Sequence, residues 1–407
     1  MSPPSSPSRS ATDEPTAAST GSSLAVLGTA AAGNFTQLGA RLLLSAVLPL
    51  IILQFDASKS SVGLALTGMW GIYALIQFPS GVLADRFGER RLLLAGLFGT
   101  AVGAAAVAVA PSLATFAAAV IVLGAGAGLF FAPASSLVSR LSESQGGSLG
   151  VLTAAGGVSG VVLPAVGGEV ATRFGWRAAV ALGVVVAVPV FVATALVVPS
   201  LRPSSPDRRL TAVLDPTLLA EILTRPSVAY TTVLAVLGGF TIQGYTSFFP
   251  TFLVEYRGLD TGTAGLAFGA AFAISAVAQP AVGRLSDATS RDLALSVSIA
   301  IAIAGFAVVL AVPGTVGLVA GVALLGAGIS WPGVIAARIM DQLDDDERGL
   351  GFGLVRTSFL LIAATGSVAV GALADYGGWG LAFGTLLAVL GCYLLLLGVN
   401  RTLGLGL

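Results

Sequence analysis

Arg41 lies in the middle of a long apolar stretch, and Asn34, Gln37, Arg41 and Ser45 follow one another at spacings of three, four and four. At 3.6 residues per turn those spacings stack all four on one helical face. A guanidinium stays charged at any ordinary pH and presents a planar fork of donors that suits carboxylates and other oxyanions. The chemistry on offer is recognition of an anionic group, with the stripe turned toward an aqueous cavity or a facing half of the molecule. A structural reading stands beside it, in which Arg41 ties helices together through carbonyls and polar side chains. A second set, Gly239, Gln243, Ser247 and Thr251, repeats at spacing four and adds Gln243 and Ser247 as binding candidates. Tyr245 and Trp331 are candidates for an aromatic lining.

Covalent chemistry has little to work with here. The chain holds no histidine and one cysteine, Cys392, within an apolar run. That removes histidine-based catalysis, histidine- or cysteine-ligated metals and an intrachain disulfide. The phosphate-cradling pattern G-x-x-x-x-G-K-[ST] is absent as well, which argues against an ATP-driven pump. No enzyme activity, cofactor or metal is expected. Buried carboxylates, which proton-coupled carriers use, are missing from the central parts of the helices that carry the polar sets. Glu169 is the best candidate for proton coupling, while Glu255 and Asp375 fall at helix ends and read as solvated. Whether a proton or sodium drives the process, and whether by symport, exchange or uniport, stays open.

The elements that must position these residues are membrane helices. Only 10% of the 407 residues are charged and 55% are hydrophobic, with a mean hydropathy of +0.93. A soluble domain carries about 25% charged residues, so the soluble-globule class is excluded. The net charge of zero gives no bulk attraction to nucleic acid. Runs long enough to cross a bilayer recur near 24–53, 60–83, 91–110, 113–139, 148–172, 177–199, 228–254, 262–285, 292–312, 315–340, 349–374 and 379–400. The expected fold is all-α and polytopic, with twelve transmembrane helices in two pseudo-symmetric six-helix bundles. Residues 1–23 read as a disordered cytosolic tail, 24–199 as the first bundle, 200–227 as a cytosolic linker, 228–400 as the second bundle and 401–407 as a short tail.

The halves repeat. Gly63-Leu64-Ala65, Gln77, Gly81, Asp85 and Leu123-Gly-Ala-Gly126 each find a counterpart 202 positions on, in Gly265-Leu266-Ala267, Gln279, Gly283, Asp287 and Leu325-Gly-Ala-Gly328. Gly175-Trp176 matches Gly378-Trp379. Internal repeats of this kind place a substrate site near the midplane between the halves. With the N-terminus inside, most basic residues fall on the inner side. Only Lys59, Arg173, Arg177 and Arg257 fall outside, with Arg41 and Arg356 within helices. The positive-inside rule then puts both termini in the cytoplasm of a multi-pass cell-membrane protein. Arg356, a turn or two inside its helix, reads as snorkelling to the inner surface.

Gly81-Val-Leu-Ala-Asp85-Arg86-Phe-Gly88-Glu-Arg90-Arg91 resembles the loop motif of the major facilitator superfamily, G-x-L-a-D-R-x-G-r-k/r, and the resemblance covers residues 24–400. It implies alternating access between two rocking halves. It also implies a latch on the cytoplasmic side carried by Gly81, Asp85, Arg86, Gly88, Arg90 and Arg140, with a weaker second copy at Asp287. Glu347-Arg348-Gly349 resembles the family's E-R-G loop. Pro164-Ala-Val-Gly167-Gly168 resembles the end of an antiporter motif, though Leu163 and Ser159 depart from it, and a Gly/Pro bend for helix packing is an equal reading. The expected function is secondary transport of a small organic or inorganic anion by a monomer in the lipid bilayer. Export of amphipathic or drug-like compounds is the alternative.

Overall fold

The computed structural model describes residues 17–142, 144–203, 205, 216–344 and 348–407. Fifteen helices follow in chain order: α1 (Ala17–Phe55), α2 (Lys59–Phe87), α3 (Glu89–Ala108), α4 (Leu113–Gly128), α5 (Phe131–Leu141), α6 (Gln145–Phe174), α7 (Trp176–Val197), α8 (Pro216–Thr224), α9 (Pro226–Glu255), α10 (Thr261–Ala288), α11 (Arg291–Ala311), α12 (Gly314–Gly328), α13 (Pro332–Asp341), α14 (Arg348–Ala364) and α15 (Gly366–Leu403). Eleven helical stretches among the described residues are long and apolar enough to span a bilayer, the last of them running from Gly351 to Leu403. Gly378, with φ +77° and ψ 179°, divides α15. That backbone conformation is open only to glycine. Gly175 plays the same part between α6 and α7, with φ +82° and ψ 162°. The repeated Gly-Trp pair is therefore a repeated helix break.

Three of the twelve expected spans are discontinuous: 349–374 breaks at Thr365, between α14 and α15, and the other two are repeat partners. The run 113–139 becomes α4 and α5, and 315–340 becomes α12 and α13. Proline supplies the reason in that pair. Its ring clashes with the carbonyl four residues back. Pro332 opens α13 just as α12 ends at Gly328, and Pro133 lies four residues beyond Leu129, where α4 is capped. Elsewhere the boundaries move. Ala17–Ser23, part of the segment read as a tail, belong to α1, while residues 1–16 lie outside the described residues. The linker contains α8, and Arg401–Leu403 continue α15 to a left-handed cap at Gly404. Glu347 of the E-R-G loop lies outside the described residues.

Glycine sets how closely the helices pack, as expected where lipid supplies no hydrophobic drive between helices. A Cβ on Gly124 would meet the Met69 carbonyl at 2.2 Å, and one on Gly326 the Ala271 carbonyl at 2.6 Å. Gly126 lies against the Thr100 backbone as Gly328 lies against Ala302, and Gly103 against Leu123 as Gly305 against Leu325. Each residue and its contact recur 202 positions later. The sequence repeat is thus a repeat of backbone contacts, and it builds two matching bundles, α1–α7 and α9–α15.

The bundles meet along two seams. In one, a Cβ on Gly63 would meet the Ser367 carbonyl and one on Gly371 the Lys59 carbonyl. In the other, a Cβ on Gly265 would meet the Pro164 carbonyl and one on Gly168 the Thr261 carbonyl. Gly63 and Gly265 are repeat partners. Both seams lie toward the end that carries the α1–α2 and α9–α10 turns, called here the far end. The opposite end, with the arginine-rich α2–α3 turn, is the basic end.

Candidate functional site

Arg41 sits near the middle of α1 and is only 3% exposed. Its Nε donates to the Gln37 carbonyl at 3.0 Å. Its guanidinium carbon lies 3.9 Å from the centre of the Tyr73 ring and 4.6 Å from that of Trp70. Both rings come from α2, one turn apart, and they meet each other edge to face at 6.0 Å. Such faces stabilise a cation, by about 2 kcal/mol or more each once water is excluded. They do not replace an anion. Arg41 Nη1 and Gln37 Nε2 are both buried donors with no hydrogen-bond partner, a costly condition.

The rest of the α1 stripe turns into its own bundle. Asn34 Nδ2 donates to the Leu152 carbonyl of α6 at 2.8 Å. Gln37 Oε1 accepts from Thr100 of α3, and Ser45 is buried. One face of α1 therefore serves three neighbours, because the helix is surrounded. Arg41 lies behind the α2 rings, and none of the four lines the cleft that α2 borders.

That wall continues toward the basic end. Gln77 Nε2 donates to the Tyr73 hydroxyl at 2.7 Å, and Gln77 lines a cleft of about 460 Å³. Phe78, Gly81, Val82 and Asp85 of α2 and Phe131, Ala132 and Ser135 of α5 form one side of it. Phe352, Gly353, Arg356 and Thr357 of α14 form the other. The two walls touch where Phe78 lies over Gly353, close enough that a Cβ there would sit 2.7 Å from the ring. Arg356 is half-buried and holds its guanidinium 5.6 Å from the Phe131 ring across the cleft. The cleft wall, rather than the membrane surface, is its place.

The second polar set stays within the C-terminal bundle. Ser247 and Ser367 share a hydroxyl hydrogen bond of 2.7 Å between α9 and α15, and Gln243 is buried. Tyr245 is fully buried among Phe249, Phe268 and Phe306. Trp331 packs on Tyr393 and over Gly238. None of these four lines the cleft. Glu169 pairs with Arg173 one turn on, both well exposed.

The motif charges form staples within a half. Glu89, 2% exposed, accepts from Arg140 at 2.5 Å and from Ser136 at 3.2 Å. Arg90 donates to Ser200 and to the Ala195 carbonyl. Arg86 rests against Phe87. The Asp85 carbonyl accepts from the Ser205 amide at 3.0 Å, and Gly88 turns the chain at φ +90°. In the second half Asp287 pairs with Arg291, which also holds Asp341. Gly81 and Gly283, the motif glycines, have room for a methyl group.

Sequence reasoning missed two features. Glu89, inside the motif, is the buried partner of Arg140. Asp375, exposed as expected, spans the halves: its carboxylate accepts from the Lys59 and Ser60 amides at 3.0 and 2.7 Å. Those are the first donors of α2, which have no partner within the helix. Beside them Lys59 pairs with Glu255 at 3.1 Å, and Glu255 accepts from Trp379 at 3.0 Å. The repeated Gly-Trp was the available signal, since it places Trp379 at that helix start.

Two matching helical bundles, three broken spans among them and a cleft between the halves define a multi-pass membrane carrier architecture. The major facilitator superfamily model matches residues 30–340 and 262–403, and the chain belongs to that family of membrane transporters. Among curated proteins, the nitrite extrusion protein of Bacillus subtilis (strain 168) is 24% identical over 248 residues. That match covers 61% of this chain and 61% of that protein, so the chain spans less than two thirds of its relative. Among solved structures, the nucleoside transporter NupG superposes with a TM-score of 0.74 at 13% identity, over 93% of this chain and 98% of that one. A bacterial homologue of the human lysosomal transporter Spinster, in an inward-facing and occupied conformation, gives 0.75 at 15%, over 93% and 96%. The human organic anion transporter MFSD10 gives 0.67 at 17%, over 92% and 99%. At these identities the structural likeness speaks for the fold.

Proposed function

We propose that this chain is a secondary transporter that moves a small organic or inorganic anion by alternating access. The observation that carries the reading is Arg41: a guanidinium near mid-membrane, 3% exposed, with no carboxylate within ion-pair distance among the described residues. An arginine at a helix centre costs about 2.5–3.5 kcal/mol to insert. Trp70 and Tyr73 offset part of that cost, and an anion reaching the unpartnered Nη1 would offset more while gaining charge-assisted hydrogen bonds. The nitrite extrusion protein, named above, supports an anion as cargo. In this reading Asn34, Gln37 and Ser45 hold α1 so that Arg41 faces α2. Gln243, Ser247, Tyr245 and Trp331 shape the C-terminal bundle behind the opposite wall. The basic end is cytoplasmic, as are both termini, by the positive-inside rule, in a cell-membrane protein that works as a monomer. The motif residues Gly81, Asp85, Arg86, Gly88, Arg90, Arg140 and Asp287 act when the basic end closes. Glu169, exposed beside Arg173, leaves the coupling ion, proton or sodium, open.

A second reading is export of amphipathic compounds, favoured by Phe78, Val82, Phe131 and Phe352 in the cleft. One experiment separates the two. Purified full-length chain is titrated with nitrite, nitrate, acetate and benzoate, and separately with tetraphenylphosphonium. Arg41→Gln should lose at least tenfold in anion affinity, and Arg41→Lys, which keeps charge without the fork, should lose less. Unchanged anion affinity in folded Arg41→Gln protein would remove the main support for the anion reading. Tetraphenylphosphonium binding that Arg41→Gln leaves intact, with no anion bound by the wild type, would establish the second.

A further inference from the structure

Arg356 lines the cleft from the C-terminal half, and in the N-terminal half Arg41 lies behind the cleft wall, against the Tyr73 ring. The Tyr73 ring face takes Arg41 at 3.9 Å. Its hydroxyl accepts from Gln77, which lines the cleft, and Tyr73 lies within electrostatic reach of Arg356. Neither arginine has a carboxylate within ion-pair distance among the described residues. Each rests on aromatic rings contributed by the N-terminal half, Arg41 on Trp70 and Tyr73, Arg356 on Phe131. Donors share the cleft with Arg356: the Gln77 amide and Ser135 on one wall, Thr357 on the other. Asp85 also lines the cleft. It lies two helical turns from Gln77, toward the basic end, so the cationic part of the cleft is its deeper part.

We infer that Arg356 is the C-terminal half's anion ligand, holding a monovalent carboxylate or inorganic oxyanion against Gln77 on the opposite wall, with Tyr73 behind Gln77. The inference rests on the anion reading above and adds a consequence to it. With the cleft empty, closing it brings two unneutralised guanidinium groups toward each other in a low-dielectric space, which is unfavourable. With an anion between them the same closure is an attraction shared by both halves. Binding therefore favours the closed form through a contact that the empty carrier lacks, as any ligand-driven shift requires. The loaded carrier should reorient faster than the empty one, so exchange of anion for anion should outrun net flux.

The test uses full-length protein in a Cys392→Ser background, with the same four anions as probes. Arg356→Gln should weaken the bound anion about ten- to hundredfold, the range for a lost hydrogen bond to a charged group. Arg356→Lys should recover part of the loss, and neither change should move the melting temperature by more than a degree or two, because the side chain is half-exposed. Arg356→Cys keeps the test decisive if Arg356→Gln misfolds: a cationic thiol reagent should restore anion binding and an anionic one should not. In proteoliposomes, wild-type counterflow should exceed net uptake, and Arg356→Gln should reduce that ratio. Wild-type binding that Arg41→Gln abolishes and Arg356→Gln leaves unchanged would overturn the role of Arg356 while the anion reading stands. A wild type that binds none of the four anions would overturn both.

Discussion

The two ends of the bundle are held by different kinds of contact. At the basic end several ion pairs lie within a half: Glu89 with Arg140, Asp287 and Asp341 with Arg291, Asp292 with Arg338. At the far end two polar contacts cross between halves, Asp375 on the α2 amides and Lys59 on Glu255, while Glu169 with Arg173 stays within one. Backbone contacts follow the same division. Gly63, Gly168, Gly265 and Gly371 press against carbonyls of the other half, whereas Gly81 and Gly283 have room to spare. The far end is therefore the sealed end in this state, and the cleft lies toward the basic end. At the far end small residues and two carboxylates, those of Asp375 and Glu255, join the halves in this state.

The seam glycines should show the largest effect. Gly63→Ala and Gly265→Ala would each force a methyl group onto backbone of the opposite half, where nothing can rotate away. Overpacking of that kind costs about 1–3 kcal/mol, and here the cost falls on the sealed state alone. Spin labels on Ser112→Cys and Thr315→Cys in the Cys392→Ser background should report a longer far-end distance in both variants. Gly283→Ala should leave that distance unchanged. Equal behaviour of all three would break the comparison.

Removing the Asp375 carboxylate from the seam should do less. Asp375→Ala leaves two amides of the first α2 turn without a partner, and losing a cap of this kind costs about 0.5–2 kcal/mol. Far-end opening should rise by a factor of a few to about thirty. Glu89→Gln is its counterpart at the other end. It should lower the melting temperature, because it weakens a staple inside the N-terminal half, yet leave the spin-label distance in place. A far-end shift in Glu89→Gln would show that the two ends are not independent.

The smallest effect belongs to Asp260, a carboxylate that caps its own helix. The Thr263 hydroxyl and amide donate to it at 2.6 and 2.9 Å, and those bonds, the hydroxyl's first, hold its carboxyl below the usual aspartate range. With the folded value depressed, the stabilisation is present above the unfolded aspartate value and is lost as pH falls through the folded one. Asp260→Ala should lower thermal stability slightly at pH 7, with the difference from wild type shrinking in acid. The far-end distance should not respond. A change in that distance would mean that Asp260, like Asp375, acts between halves.

Much of the architecture was legible because its signals are local. Hydropathy gave twelve spans, and a glycine repeat 202 residues long gave two like halves, since the same small residue is needed wherever two backbones meet. The spacing of Asn34, Gln37, Arg41 and Ser45 gave one face of one helix. It could not say what that face would meet, because Asn34, Gln37 and Arg41 each reach a different helix, α6, α3 and α2 in turn. Arg356 read as a snorkelling side chain for the same reason. Distance from a helix end is written in the sequence, but Phe131 and the cleft beside it are not.

What the sequence by itself determined is a set of apolar helices, where glycine and proline break them, and how the second half copies the first. These follow from hydrogen bonding and sterics within a few residues, and lipid enforces them by leaving no other partner for the backbone. Which residues cross between the halves was decided only by the tertiary structure. Asp375 and Lys59 are 316 residues apart, and Phe131 and Arg356 are likewise distant in sequence. No local rule brings such pairs together. Their meeting depends on how two bundles dock, and docking is a property of whole surfaces rather than of any segment.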